Sequence, residues 1–148
     1  MTKTLHPIAG TLALGLIVLF WIATVVSELF APLPVVVAVK TAIPWAFLVL
    51  IPALVLAGAS GAWLSRTAPS PLAFTKRRRM PIIAANGLLV LVPAALFLAT
   101  KAASGAFDTA FYVVQGVELV AGAVNVSLLG LNLRDGLRMT GRVGRVAP

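Results

Sequence analysis

Four long apolar stretches constrain the fold of this chain more than any other feature. They cover residues 8–27, 41–64, 81–100 and 109–133. A helix needs about 20 apolar residues to cross the hydrocarbon core of a bilayer, and each stretch has that length. Charged residues make up only 11% of the chain, whereas soluble domains carry roughly a quarter. The sequence therefore predicts an all-α integral membrane protein whose four transmembrane helices form an antiparallel up-down bundle.

The connections between these stretches leave no room for a separate soluble domain. We expect one transmembrane domain over residues 1–136 and a flexible, basic tail over residues 137–148. Pro32 and Pro34 predict a loop after the first helix, because proline does not suit a helix interior. Residues 65–80 are predicted to form the longest connection. The first stretch is longer than the apolar core of a signal peptide and no small-residue cleavage site follows, so we expect it to be retained.

The basic residues are distributed unevenly across the predicted topology. The net charge is +8. When the four helices are threaded through the membrane in order, only two of the basic residues, Lys40 and Lys101, fall on one side. The positive-inside rule then predicts that both termini and the middle loop are cytoplasmic. Small size and an Ala/Gly/Val-rich composition suggest a bacterial inner membrane. The ten basic residues on the cytoplasmic side are Lys3, Arg66, Lys76, Arg77, Arg78, Arg79, Arg134, Arg138, Arg142 and Arg145.

A run of four basic residues dominates the middle connection. Such a cluster beside a membrane helix is suited to anionic lipid headgroups on the cytoplasmic side. It lacks the interleaved aromatic residues of a nucleic-acid surface, so we predict no nucleic-acid partner. The run consists of Lys76, Arg77, Arg78 and Arg79.

Glu118 is a single acid in the middle of the last apolar stretch, where an unpaired charge is costly. Helical spacing places Gln115, Asn125 and Asn132 on its face of the helix. Asn86 lies at a similar depth on the third helix. The spacing predicts an intramembrane polar seam that faces the bundle interior. Two interpretations remain open: an uncharged Glu118 that only hydrogen-bonds within the seam, or a carboxylate that titrates or binds a ligand.

Four further charges lie near the predicted outer surface. We expect Lys40 to reach Glu28 or Asp108 there, with Lys101 close by. Exposed ion pairs of this kind contribute only about 0–1 kcal/mol. These outer rim charges are therefore predicted to orient the helices rather than to carry chemistry.

His6 and Met80 are the only pair that suggests a cofactor. Each precedes an apolar stretch on the predicted cytoplasmic side, and a His/Met pair can ligate haem iron. The alternative is a histidine that simply caps a helix start. The chain has no cysteine, no H-E-x-x-H and no phosphate-binding glycine loop. We therefore predict no enzyme activity, no metal and no cofactor.

Two functions are consistent with this sequence. The first is a structural or accessory subunit that acts by helix–helix contact within a larger membrane complex. Its support includes the small-residue face of Ala53, Ala57 and Gly61. The alternative is a proton-coupled carrier or small-ligand binder centred on Glu118, which we expect to be a homodimer because four helices are few for a monomeric carrier. A b-type haem redox protein ranks third.

Overall fold

The computed structural model describes residues 2–67, 71–139 and 141, and these form helices and short turns without any strand. Four helices are long enough and apolar enough to cross a membrane. The third contains a π-helical turn between two α-helical segments. The first helix is Thr2–Phe30, the second Leu33–Thr67, the third Pro71–Asn86 with Gly87–Leu91 and Val92–Ala103, and the fourth Thr109–Met139.

The connection between the first two helices is much shorter than the predicted loop. Only Ala31 and Pro32 separate them. Pro34 occupies the second position of the second helix, where the missing N–H has no helical partner to lose. Lys40 therefore lies seven residues inside the helix, about 10 Å from its start.

The third and fourth helices also extend beyond the predicted bounds. Residues 71–80, predicted as loop, are helical, so the basic run lies on the third helix. The π-helical turn directly precedes Pro93, which lacks the N–H for a normal i to i−4 bond. The fourth helix continues to Met139 rather than residue 133. Of the predicted flexible tail, residues 140 and 142–148 lie outside the described residues.

The helices pack in pairs around a shared interior. The first helix contacts the second and fourth, and the third contacts the same two. One apolar cluster joins Val36, Leu98 and Phe111, so the start of the second helix, the end of the third and the start of the fourth meet. We call this the turn end of the bundle. The opposite end, which carries Arg79 and Asp135, is the basic end.

A close approach joins the first and fourth helices. The indole Nε1 of Trp21 donates a hydrogen bond to the carbonyl oxygen of Leu119 at 2.9 Å. A Cβ atom at Gly122 would lie only 2.8 Å from Cδ1 of Trp21. The missing side chain of Gly122 therefore lets the indole lie against the fourth helix. Trp21 both packs and makes a polar contact.

Candidate functional site

A buried ion pair joins the second and fourth helices. Nζ of Lys40 lies 2.7 Å from Oε2 of Glu118, and the two side chains are only 1% and 12% exposed. Glu118 lies nine residues into the fourth helix, about 13 Å from its start, so the two charges reach similar depths. The prediction of Lys40 as an exposed rim charge is corrected, because its side chain is buried and its ammonium pairs with Glu118 in a helix that begins at Leu33 rather than residue 41. Its charge does act on Glu28, whereas Asp108 pairs with Lys101.

Two further polar side chains belong to this site. Nε2 of Gln115 donates a hydrogen bond to the same Glu118 oxygen at 3.3 Å. Oε1 of Gln115 and Oε1 of Glu28 are both buried and have no hydrogen-bond partner among the described residues. Glu28 interacts electrostatically with Lys40 and Glu118 and is half-buried, two residues before the first helix ends at Phe30. We call Glu28, Lys40, Gln115 and Glu118 the acid–lysine cluster.

A small cavity borders the acid–lysine cluster at Glu118. Its volume is about 70 Å³, and it lies among the first, second, third and fourth helices. Trp21, Phe47 and Leu91 are among the apolar residues that line it, and Thr24 adds a hydroxyl-bearing side chain. The cavity thus offers a small, apolar and partly aromatic space with one carboxylate at its edge.

The charges of the cluster do not balance when every group is ionised. Two carboxylates oppose a single ammonium, which leaves one net negative charge inside the bundle. Coulomb interactions are stronger in such a low-dielectric interior than in water. Like carboxylates that share a site favour a proton on one of them. The arrangement can therefore bind a proton or another positively charged or hydrogen-bond-donating group.

The amide members of the seam form a separate contact. Nδ2 of Asn86 donates to Oδ1 of Asn125 at 2.9 Å and to the carbonyl of Ala121 at 2.8 Å. Nδ2 of Asn125 donates to the carbonyl of Ile83 at 3.3 Å. The structure thus brings Asn86 and Asn125 together. Their hydrogen bonds join them to each other and to backbone carbonyls of the third and fourth helices. These bonds hold the third and fourth helices together.

A second buried ion pair lies at the basic end. Nη1 of Arg79 lies 2.7 Å from Oδ2 of Asp135 and 3.4 Å from Oδ1 of Asn132. Asp135 is only 3% exposed, and Nε of Arg134 lies 3.6 Å from its other oxygen. The prediction of Arg79 as a headgroup ligand is corrected, since its guanidinium faces the fourth helix. Sequence analysis missed Asp135, although it follows Asn132 at i+3 on the same stripe.

The other members of the basic run lie differently from Arg79. Arg77 and Arg78 are exposed, and Lys76 is half-buried. The Arg78 guanidinium lies 5.6 Å from the centre of the Phe74 ring, a cation–π contact. Arg77 and Arg78 therefore remain available to anionic headgroups.

The two candidate haem ligands have protein partners. Nδ1 of His6 lies 3.0 Å from the carbonyl of Ala57 and 3.2 Å from Oγ of Ser60. Nδ2 of Asn132 donates to Sδ of Met80 at 3.5 Å. Across the part of the chain that the structure describes, no three His, Cys, Asp or Glu residues are placed to hold a metal ion.

Asp108 pairs with Lys101 rather than with Lys40. Nζ of Lys101, near the end of the third helix, lies 2.5 Å from Oδ2 of Asp108, which precedes the fourth helix and lies outside the membrane-spanning helices. Oδ1 of Asp108 accepts a hydrogen bond from the backbone N–H of Phe111 at 3.0 Å, which caps the fourth helix. The hydrogen bonds from Lys101 and from this N–H hold the pKa of the Asp108 carboxyl below its usual range.

Comparison of the chain with protein-family models, with curated proteins and with solved structures finds no match.

Proposed function

We propose that the chain is a multi-pass protein of a bacterial inner membrane whose helices alternate in direction. The start of one helix contacts the end of its neighbour. His6, near the start of the first helix, contacts Ser60 near the end of the second. Arg79, in the first part of the third helix, pairs with Asp135 near the end of the fourth. Ten of the twelve basic residues belong to the basic end or to chain segments that adjoin it in the sequence. The positive-inside rule then supports a cytoplasmic basic end and an external turn end.

We propose that the acid–lysine cluster carries the function, which is proton-coupled binding of a small ligand. The observation that supports this most directly is a buried Lys40–Glu118 pair beside two buried oxygens that lack partners. Buried polar groups in proteins are nearly always satisfied, so unpaired ones require an explanation such as an occupant. The adjoining cavity provides space for the apolar part of a small ligand.

The chemistry of this proposal is binding rather than catalysis. A ligand with a positive or hydrogen-bond-donating group would compensate the excess negative charge of the cluster. Ligand and proton would then compete for the same carboxylates, which couples their binding. A carrier of this design would work as a homodimer, since four helices provide few surfaces for alternating access.

Trp21 provides a reporter for the proton part of this proposal, because it lines the cavity together with Glu118. We would replace Trp45 and Trp63 with Phe and record Trp21 fluorescence against pH in detergent. The emission is expected to change with pH, with a midpoint that moves by at least about one pH unit in Glu118→Gln.

Asp108→Asn is the matched control, because this acid is exposed and lies apart from the cavity. It should leave the midpoint unchanged. Emission that is independent of pH in the parent, or unchanged in Glu118→Gln, would rule out a titrating site at the cavity.

The second candidate is an accessory subunit that acts by helix–helix contact. One observation favours it: the outward face of the first helix carries a groove lined by Pro7, Thr11 and Gly15, spaced four residues apart. A Cβ atom at Gly15 would meet nothing within 4 Å, so a partner helix could approach closely there.

Purification in mild detergent tests this accessory role. A partner that co-purifies with the wild type should be lost from Gly15→Ile. It should be retained by Gly116→Ile, because a Cβ at that position on the fourth helix also meets nothing. A monodisperse, partner-free and active protein would contradict the accessory role.

We also propose that Arg77 and Arg78 contact anionic lipid headgroups on the cytoplasmic side. Their exposure at the basic end supports this role, and each such cation contributes about 1 kcal/mol near an anionic surface. The proposal leaves Arg79 out, because that residue pairs with Asp135.

A further inference from the structure

Glu28 differs from the other acids of this chain. The sequence contains only four Asp and Glu residues. Three of them, Asp108, Glu118 and Asp135, form ion pairs with a lysine or arginine at 2.5–2.7 Å. Glu28 has no ion pair among the described residues, and its Oε1 is buried without a hydrogen-bond partner. It is therefore the acid with the least compensation for a negative charge.

The charges nearest to Glu28 leave it without a cation of its own. The first helix packs against the second and fourth helices, and the charged groups from these that act on Glu28 are Lys40 and Glu118. The Lys40 ammonium is already 2.7 Å from a Glu118 oxygen. The two opposite charges of this pair largely offset each other, so neither provides a partner for a Glu28 carboxylate.

Gln115 carries the other buried oxygen of the cluster that lacks a hydrogen-bond partner. Gln115 is 95% buried, and its Nε2 donates to Glu118. Its Oε1, an acceptor, has no donor. In the described residues, the partnerless buried side-chain oxygens are Glu28 Oε1 and Gln115 Oε1, and both belong to the acid–lysine cluster. A donor is what both oxygens lack.

We propose that Glu28, rather than Glu118, binds the proton of the acid–lysine cluster, because Glu118 already has Lys40 as its ion-pair partner. This rests on the proposed function and assigns its proton-binding residue. Hydronium gives one proton to a Glu28 carboxylate oxygen and leaves as water, so the carboxylate becomes a carboxyl with one O–H donor. The cluster then holds one ammonium, one carboxylate and one neutral acid, with no net charge. Loss of the proton restores the negative charge that a cationic ligand would match.

Infrared difference spectroscopy of the full chain in lipid tests this assignment, because only neutral carboxyls give the acid C=O stretch. With four side-chain acids, each band can be assigned by substitution. The wild type should show a C=O band that disappears as pH rises. Glu28→Gln should abolish it. Glu118→Gln should keep it with a midpoint at lower pH, since a like charge is removed and Lys40 is released.

Glu28→Asp guards against a variant that does not fold, since it keeps a carboxyl and should keep a band at a shifted frequency. A band that persists in Glu28→Gln and disappears in Glu118→Gln would overturn the assignment but leave proton-coupled binding at the cluster intact. A spectrum without any titrating C=O band, together with Trp21 emission independent of pH, would contradict both the assignment to Glu28 and proton-coupled binding at the cluster.

Discussion

Gly122 matters because of what its missing Cβ allows. The Trp21 indole lies where that atom would be, with Cδ1 at 2.8 Å, and donates a hydrogen bond to Leu119. Gly122→Ala should therefore displace the indole and reduce the free energy of unfolding by about 1–3 kcal/mol, the usual cost of overpacking. Unfolding in mixed micelles measures this change.

Gly116 provides the matched control on the same helix, since a Cβ there meets nothing within 4 Å. Gly116→Ala should leave stability unchanged or raise it by up to about 1 kcal/mol through helix propensity. Equal effects of the two substitutions would show that the Trp21 contact has no special role.

Asp108 should give the protein an acid-sensitive component of stability. The folded pKa of its carboxyl is lowered, first by the hydrogen bond from Lys101 and then by the backbone N–H of Phe111. Its contribution to stability is therefore complete above the unfolded pKa of about 3.9 and is lost as pH falls through the folded pKa.

Asp108→Ala should remove this component from thermal unfolding curves recorded between neutral pH and about pH 2. Asp108→Asn, which can still cap the helix, should also remove it while losing less stability at neutral pH. An unchanged acid dependence in both variants would show that the Asp108 carboxyl is not the source of this component.

Some of the site could be predicted from residue spacing and some could not. The stripe through Gln115, Asn125 and Asn132 could be assigned to the interior, because lipid cannot satisfy amides. The partner of Glu118 could not, since Pro32 and Pro34 predict a loop where the second helix begins. Proline at the beginning of a helix looks the same in sequence as proline in a loop.

At the scale of elements, Arg79 and Asp135 link the third helix to the end of the fourth. Arg79→Met would leave the buried Asp135 carboxylate without its closest cation. This should cost about 3–5 kcal/mol of unfolding free energy, as breaking a buried pair usually does. Arg77→Met is the control, because Arg77 is exposed two residues earlier and should change stability by less than about 0.5 kcal/mol. Similar losses in both variants would instead indicate a general effect of basic charge.

The existence of the four helices was the easiest part to predict, because apolar runs of that length have few alternatives. Their ends were the hardest. Residues 71–80 are helical although they carry the basic run, since the charged side chains lie where the helix leaves the apolar region. The π-helical turn before Pro93 has no sequence signature beyond the proline itself.

At the scale of the whole molecule, the orientation in the membrane can be tested directly, since the chain has no cysteine of its own. Ser104 is exposed at the turn end and Thr75 is exposed on the third helix near the basic end. A membrane-impermeant maleimide should label Ser104→Cys in intact cells. It should label Thr75→Cys only after the membrane is permeabilised. The reverse pattern would invert the proposed topology.

We expect the Lys40–Glu118 pair to hold the second and fourth helices together at the acid–lysine cluster. A double-mutant cycle tests it, run in a Glu28→Gln background so that Lys40 has no second carboxylate in the cluster. Lys40→Met and Glu118→Gln should each cost about 3–5 kcal/mol of unfolding free energy, because each leaves a buried charge unpaired. The double variant should lose less than the sum of the two single losses, with a coupling free energy of about 2–3 kcal/mol. Single effects that simply add, to within about 0.5 kcal/mol, would contradict the account.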